Sequence, residues 1–310
     1  MLKKAAILPP RLARGDTLGV ASPAASFDKE AFEKGARALE SMGFSLMIPG
    51  GPYEKNGYLA ADDAHRAQEL NRLFADPDVK GIVCARGGYG SIRILSRLDY
   101  GLIRENPKVF AGFSDISALL WAIWMKTGLA VFHSPNVTTL KDASRKTADA
   151  MRSAFSSGSP LDIVAQNGVE LRPGSASGPL AGGNLTTLCH LTGTPFAPDF
   201  GGHILFLEDV GEPAYKIDRA LSHMKLAGCF DHVAGVVLGS FHDCGPAGDI
   251  YSICKDIFGE YGVPVLAGFE SGHGRDNLAL PMGVEAVLDA RDKRLFFHGP
   301  ATATPGGAPG

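Results

Sequence analysis

Cysteine is scarce and shows no pairing pattern. The five residues, Cys84, Cys189, Cys229, Cys244 and Cys254, form no C-x-x-C spacing. An odd count without that spacing argues against a disulfide framework or a structural zinc site, and for free, buried thiols in a reducing compartment. Long apolar runs are also missing. None approaches the ~18 residues that cross a bilayer, and the apolar stretch at residues 5–8 is too short for a signal segment. A cytoplasmic protein with no membrane partner is expected. There is no excess of positive charge: 30 Lys and Arg against 33 Asp and Glu leave a net −3. Nucleic acid and anionic membranes need a basic face, so neither is expected as a partner. The nine histidines include no H-E-x-x-H spacing, and neither a P-loop nor G-x-G-x-x-G occurs. No internal repeat is visible.

The chain does have length and apolar content. Its 310 residues are 45% hydrophobic and 20% charged, enough for a real core in two domains or in one large one. Helical periodicity at 28–42 and 62–75 alternates with short apolar strands at 16–22, 44–48, 80–85 and 108–113. A strongly apolar helix is expected at 116–126, followed by a strand in LAVFHSP. Strands that are apolar on both faces and alternate with helices predict a doubly wound parallel sheet over residues 1–145. Residues 146–180, rich in Ser, Gly and Asp, read as a connection, with a helix starting near 144. Residues 181–300 read as a mixed β/α domain. It has strands in GHILFLED, VAGVVLGSF and VPVLAGF, a helix over 213–227 and a hairpin over 282–297. The tail at 301–310 reads as disordered.

Four loops carry candidate chemistry, all at the ends of expected strands. Ser114 stands between an apolar strand and a long helix in GFSDI, where its hydroxyl would be exposed beside helix N-terminal amides able to stabilise an oxyanion. The pattern lacks the second glycine of G-x-S-x-G, and Ser114 or Asp115 as a simple helix cap explains it equally. The loop Arg86-Gly87-Gly88-Tyr89-Gly90 follows a buried strand. It fits either an oxyanion or phosphate cradle or a tight turn needing positive φ. Glu208 and Asp209 close an apolar strand, where a carboxylate can orient a histidine or merely cap a helix. His273 lies between glycines in ESGHG, as a general base or a surface loop residue. His133 follows a strand and is read as lining the same cleft. Serine, carboxylate and histidine thus occur in chain order at strand ends, where open α/β sheets place their sites.

Six ordered blocks then resemble the LD-carboxypeptidase family of serine peptidases, which includes muramoyltetrapeptide carboxypeptidases and microcin C self-immunity hydrolases. They are GDTLGVASPA (15–24), RGGYGSIRIL (86–95), PKVFAGFSDISAL (107–119), GGNLTTL (182–188), FLEDVGEPAYKIDR (206–219) and GFESGHGRDNLALPMG (268–283). The block GFSDIS stands where the family pattern is GYSDIT, a conservative change. The resemblance implies a flavodoxin-like N-terminal domain, a C-terminal β/α domain, and an active site between them. It implies a Ser114–His273–Glu208 triad, no metal or other cofactor, and a homodimer. The oxyanion is then assigned to the backbone N–H groups of Asp115 and Gly88, and Arg86 to the substrate's terminal carboxylate. The implied reaction releases terminal D-Ala from murein tetrapeptide through an acyl-enzyme. The alternative is hydrolysis of aminoacyl-nucleotide antibiotics in self-immunity. Residues 209–216 show no clear aromatic insertion to stack an adenine, which favours the peptide.

Overall fold

The computed structural model describes residues 6–50 and 55–304. It divides into two compact units. Of the described residues, one comprises 6–50, 55–158, 279–281 and 301–304, the other 159–278 and 282–300.

The first unit runs β1 (Thr17–Ala21), α1 (Lys29–Ser41), β2 (Ser45–Met47), α2 (Asp63–Ala75), β3 (Val79–Cys84), α3 (Tyr100–Glu105), β4 (Val109–Gly112), α4 (Ser117–Thr127), β5 (Val131–His133) and α5 (Arg145–Ser156). Strands β2, β1, β3, β4 and β5 lie side by side in that order, and every pairing among them is parallel. The order 2-1-3-4-5 is the flavodoxin-like winding, with its topological switch between β1 and β3. The central strands are mostly apolar because helices cover both faces: Leu18, Val20, Ile82, Val83, Phe110 and Phe132 are essentially inaccessible, and the one exposed strand residue among them, Lys80, lies near the start of β3. Helix starts follow their caps. Asp28, Asp62 and Ser144 each accept a bond from the backbone N–H three residues on, which satisfies amides the helix leaves unpaired.

The second unit runs β6 (Asp162–Val164), β7 (Val169–Arg172), β8 (Ser175–Asn184), α6 (Leu185–Cys189), β9 (Ile204–Val210), α7 (Ala214–Leu226), β10 (Gly235–His242), α8 (Ala247–Gly259) and β11 (Val265–Ala267). After β12 (Leu280–Met282), which edges the first sheet beside β5, come β13 (Glu285–Asp289) and β14 (Arg294–Phe297). Its eight-stranded sheet is ordered β6-β14-β13-β8-β9-β10-β11-β7. The centre, β8-β9-β10-β11, is parallel, and both flanks are antiparallel. The expected mixed domain is therefore found, with the hairpin at β13–β14.

Two expectations change. The stretch 146–180 is not a plain connection: α5 belongs to the first unit, and β6, β7 and β8 all enter the second sheet. The tail is held over residues 301–304. Ala301 and Thr302 are buried, and Ala303 exchanges backbone bonds of 2.8 Å with Pro9 and Arg11. Residues 305–310 lie outside the described residues. The five cysteines are free and buried as expected, and burial pushes the Cys254 thiol up to about 12.

Lys108, just before β4, is a buried cation. Its Nζ donates to the carbonyls of Leu73 (3.0 Å) and Asp76, at the C-terminal end of α2 where positive charge is favoured. Burial nevertheless lowers its pKa from 10.5 to about 8. The folded state therefore holds this proton less tightly than the unfolded chain, and stability from this group rises with pH across that window. In urea titrations from pH 8 to 10.5, wild type should gain stability relative to Lys108→Met. Parallel profiles would refute the assignment.

Candidate active site

In the first unit the candidate residues stand just past the C-terminal ends of β3 and β4. Ser114 has a φ of 66°, left-handed for a non-glycine residue. Such a conformation costs on the order of 1–3 kcal/mol and persists only where the surroundings hold it. Three contacts hold it here. Phe113, extended at φ −152°, is bracketed by Asn136, whose Oδ1 accepts from the Phe113 N–H and whose Nδ2 donates to its carbonyl, both at 3.3 Å. The Asp115 carboxylate is buried and accepts the Ser91 N–H at 2.8 Å, joining the turn to the Gly-rich loop. Burial raises its pKa. Finally, a Cβ on Gly87 would lie 2.8 Å from Ser114 Cβ and 3.1 Å from its Oγ, so only glycine lets that loop approach the serine so closely. The arrangement is a strained strand-to-helix turn of the nucleophile-elbow kind.

The loop itself is anchored. Gly88 and Gly90 have positive φ, and the Ala25 N–H donates to the Gly87 carbonyl at 3.2 Å. The guanidinium of Arg66, almost wholly buried, donates to the carbonyls of Pro23, Ala61 and Gly90 and pairs with Asp63. Arg86 is exposed and spends Nη1 on the Ser26 carbonyl at 2.7 Å. His133 is not a cleft residue. It is fully buried, with its ring edge-on to Phe113 at 5.8 Å.

In the second unit Glu208 and His273 come together. Glu208 sits on β9 with no solvent exposure, and its Oε2 lies 2.6 Å from His273 Nδ1. The His273 side chain is 18% exposed. Its loop has little freedom: Asn277 Oδ1 accepts the Gly272 N–H at 2.9 Å, and Ser271 Oγ donates to the Leu278 carbonyl at 2.8 Å. Gly272 has a φ of 111°, and a Cβ there would lie 2.7 Å from Glu208 Oε2. Asp209, the neighbouring acid, faces the other way because side chains alternate along a strand. It accepts from Asn184 Nδ2, from the Thr186 N–H and Oγ1, and from the Val210 N–H, at 2.8–3.0 Å. Among the described residues no cluster of three or more His, Cys, Asp or Glu could hold a metal ion, and no helix is long and apolar enough to cross a membrane.

Two family models match this chain. The LD-carboxypeptidase N-terminal domain matches residues 18–134, and the C-terminal domain residues 177–288. The chain belongs to the LD-carboxypeptidase family. Among relatives, it is 36% identical to a probable murein peptide carboxypeptidase of Bacillus subtilis, covering 94% of each chain. It is 34% identical to a murein tetrapeptide carboxypeptidase of Pseudomonas aeruginosa, covering 88% of this chain and 93% of that one. It is 31% identical to the microcin C7 self-immunity protein MccF of Escherichia coli, covering 95% and 96%. Among solved structures, an MccF-like protein from Bacillus anthracis superposes with a TM-score of 0.89 at 29% identity, over 95% of this chain and all of that one. A muramoyltetrapeptide carboxypeptidase from Oxalobacter formigenes superposes with 0.80 at 27% identity, over 93% and 99%.

Asn136, Asn184 and Asn277 were missed as supports of the candidate residues. Asn184 and Asn277 stand inside two of the six blocks. Asn184 Oδ1 accepts the Thr187 N–H three residues on, the short-range bond asparagine favours, whereas Asn136 reaches back to Phe113 on another segment, which no local pattern encodes. The argument from an absent aromatic also fails. Tyr215, within 209–216, is 64% exposed on α7 with the Arg219 guanidinium 5.7 Å from its ring. That segment therefore does not separate the two substrate classes.

Gly272→Ala should break the Glu208–His273 bond. The downfield proton NMR signal of a strongly bonded His273 Nδ1–H should vanish, with a stability loss of about 1–3 kcal/mol. Gly15→Ala is the control, since Gly15 also has positive φ but nothing within 4 Å of a Cβ. It should keep the signal. A signal retained in Gly272→Ala would disprove the steric account.

Proposed function

We propose that this protein is a serine carboxypeptidase that hydrolyses the L,D-peptide bond releasing terminal D-Ala from murein tetrapeptide, using Ser114, His273 and Glu208 as its triad. The observation that carries the reading is the 2.6 Å contact between His273 Nδ1 and the wholly buried Glu208. An imidazole held this way is fixed in one tautomer and orientation and is stabilised when it becomes cationic. A serine in a strained, glycine-flanked turn is the complementary part.

Chemically, Ser114 Oγ bonds to the carbonyl carbon while its proton passes to His273 Nε2. The developing oxyanion is assigned to the backbone N–H groups of Asp115 and Gly88. Collapse breaks the C–N bond, and His273 gives its proton to the departing D-Ala amine. Water then attacks the acyl-enzyme, His273 takes its proton, and Ser114 recovers the hydrogen as the tripeptide leaves. Arg86 is assigned to a substrate carboxylate through the guanidinium nitrogens not turned to Ser26. Cytoplasmic location and a homodimer complete the reading.

A second reading is hydrolysis of aminoacyl-nucleotide antibiotics. It is favoured by the TM-scores, 0.89 for an MccF-like structure against 0.80 for a muramoyltetrapeptide carboxypeptidase. The identities of 36% and 34% to murein peptide carboxypeptidases, against 31% to MccF, favour the peptide.

The deciding experiment incubates the protein with L-Ala-γ-D-Glu-meso-diaminopimelate-D-Ala and follows free D-Ala by mass spectrometry. Ser114→Ala and His273→Ala should each lower kcat about 10³-fold or more, and together no further than either alone. A chelator should leave the rate unchanged. Release that survives Ser114→Ala would sink the triad. If no D-Ala is released, an aminoacyl sulfamoyl nucleoside becomes the substrate to try. Arg86→Ala should raise KM with little change in kcat, and an unchanged KM would remove Arg86 from substrate binding.

A further inference from the structure

The Gly-rich loop at 86–90 poses a problem of precision. Three of its five residues are glycine, and Gly88 and Gly90 have φ of 92° and 134°. Glycine loses more conformational freedom on folding than any other residue. A loop of this composition therefore places an N–H accurately only if its neighbours pin it. The near end is pinned by the segment after β1. The Gly87 carbonyl accepts the Ala25 N–H at 3.2 Å, and a Cβ on Gly88 would lie 2.7 Å from Ala25 Cβ.

The far end is pinned by two buried charges acting on one peptide group. The Gly90 carbonyl accepts from Arg66 Nη1 at 3.0 Å, and the Ser91 N–H, the other half of that peptide, donates to Asp115 Oδ2 at 2.8 Å. Arg66 is 1% and Asp115 6% exposed. The peptide dipole thus runs between a guanidinium at its oxygen and a carboxylate at its hydrogen, and charged partners out of water make both bonds strong. Gly90 caps the 3₁₀ turn at 91–97 and has no side chain to accept that amide, so the acceptor comes from the residue next to Ser114. Burial raises the Asp115 pKa, and the amides of Ser91 and Gly90 and the charge of Arg66 oppose the rise.

Arg66 holds more than Gly90. Its Nη1 also donates to the Pro23 carbonyl, and its Nε to that of Ala61 at 3.2 Å. One turn further along α2, Glu69 Oε1 accepts the Ser22 N–H at 2.9 Å. One helix face therefore holds the segment after β1 and the Gly-rich loop together. A planar guanidinium serves three carbonyls and the Asp63 carboxylate at once. A lysine ammonium has neither the fork nor the number of donors for this.

We propose that Arg66 is a positioning residue for the reaction: with the Asp115 side chain it clamps the 90–91 peptide and so fixes the Gly88 N–H as an oxyanion donor beside Ser114. This inference rests on the serine-peptidase reading above. Arg66 is buried and touches no reacting atom. Its effect passes along the loop, whose Gly87 lies against Ser114. The other assigned donor, the Asp115 N–H, belongs to the same residue as the clamping carboxylate. The turn that presents the nucleophile thus sets both donors from one point, and Arg66 closes the arrangement from the opposite side.

The test pairs D-Ala release from the tetrapeptide with inhibition by the matching tripeptide aldehyde. Ser114 Oγ adds to the aldehyde carbon, its proton passes to His273, and the former carbonyl oxygen takes the oxyanion position. Arg66→Lys should weaken the aldehyde about 10²-fold, in step with kcat/KM, with KM itself changed by less than about threefold. Asp115→Ala, which strips the other side of the same peptide, should weaken it by a similar factor, and Asp115→Asn, which restores an acceptor for Ser91, should recover most of the loss. An inhibition constant does not depend on the fraction of enzyme that is folded, so a variant that merely folds less well keeps the wild-type value. The Asp115 pair also decides the matter if Arg66→Lys yields no folded protein. Slower release with an unchanged inhibition constant overturns the clamp and leaves the peptidase reading intact. An Asp115→Asn variant as impaired as Asp115→Ala overturns it too. If the wild type neither releases D-Ala nor binds the aldehyde, the underlying reading falls and the inference with it.

Discussion

Close approach of backbone to a side chain is the constraint on which the candidate residues of each unit depend. Gly87 lies against Ser114, and Gly272 lies against Glu208. In each case a loop passes so near the side chain that a single methyl would displace it. A parallel sheet fixes where its strands end to a fraction of an ångström, and the loops inherit that placement only if nothing wedges them away. The glycines that read as flexible in the sequence are, in the structure, the points of least freedom.

The paired acids of β9 show how one strand serves two purposes. Alternation turns Glu208 and Asp209 to opposite faces. Glu208 takes the histidine. Asp209 collects donors from Asn184, Thr186 and Val210 and so ties the start of α6 to the strand. Burial raises the pKa of Asp209, yet the four bonds leave it well solvated by the protein itself. The rigid frame around Glu208 owes much to the neighbour that does no chemistry.

Much of this was legible in the residues. The apolar strands before Arg86, Ser114 and Glu208 announced a parallel sheet, and each candidate stood just past a strand end. Ser114, Glu208 and His273 were named because their segments combine a strand end with a residue of the right chemistry. The rest was hidden for physical reasons. Strand β7 is polar and takes its place only by antiparallel pairing with β11, a long-range contact that no local pattern encodes. The stretch at 91–97 reads as a helix and is one, but of 3₁₀ winding, a distinction that seven residues of periodicity do not make. Helix α8 was passed over, although its buried residues Ile250, Cys254, Ile257 and Phe258 keep helical spacing. The burial of His133 was equally out of reach, because a histidine after a strand looks the same whether it faces a cleft or a core.

The backbone of Ser114 has a consequence for descent. At φ 66° the conformation alone favours glycine over serine, so the backbone there is more strained for carrying a Cβ. Mutation and drift therefore press toward loss of the side chain, and they are opposed only while lineages that keep it leave more progeny. On the reading of Ser114 as the nucleophile, a serine kept at this position in a descendant chain records continued use, in a way that a serine on an unstrained surface turn never does.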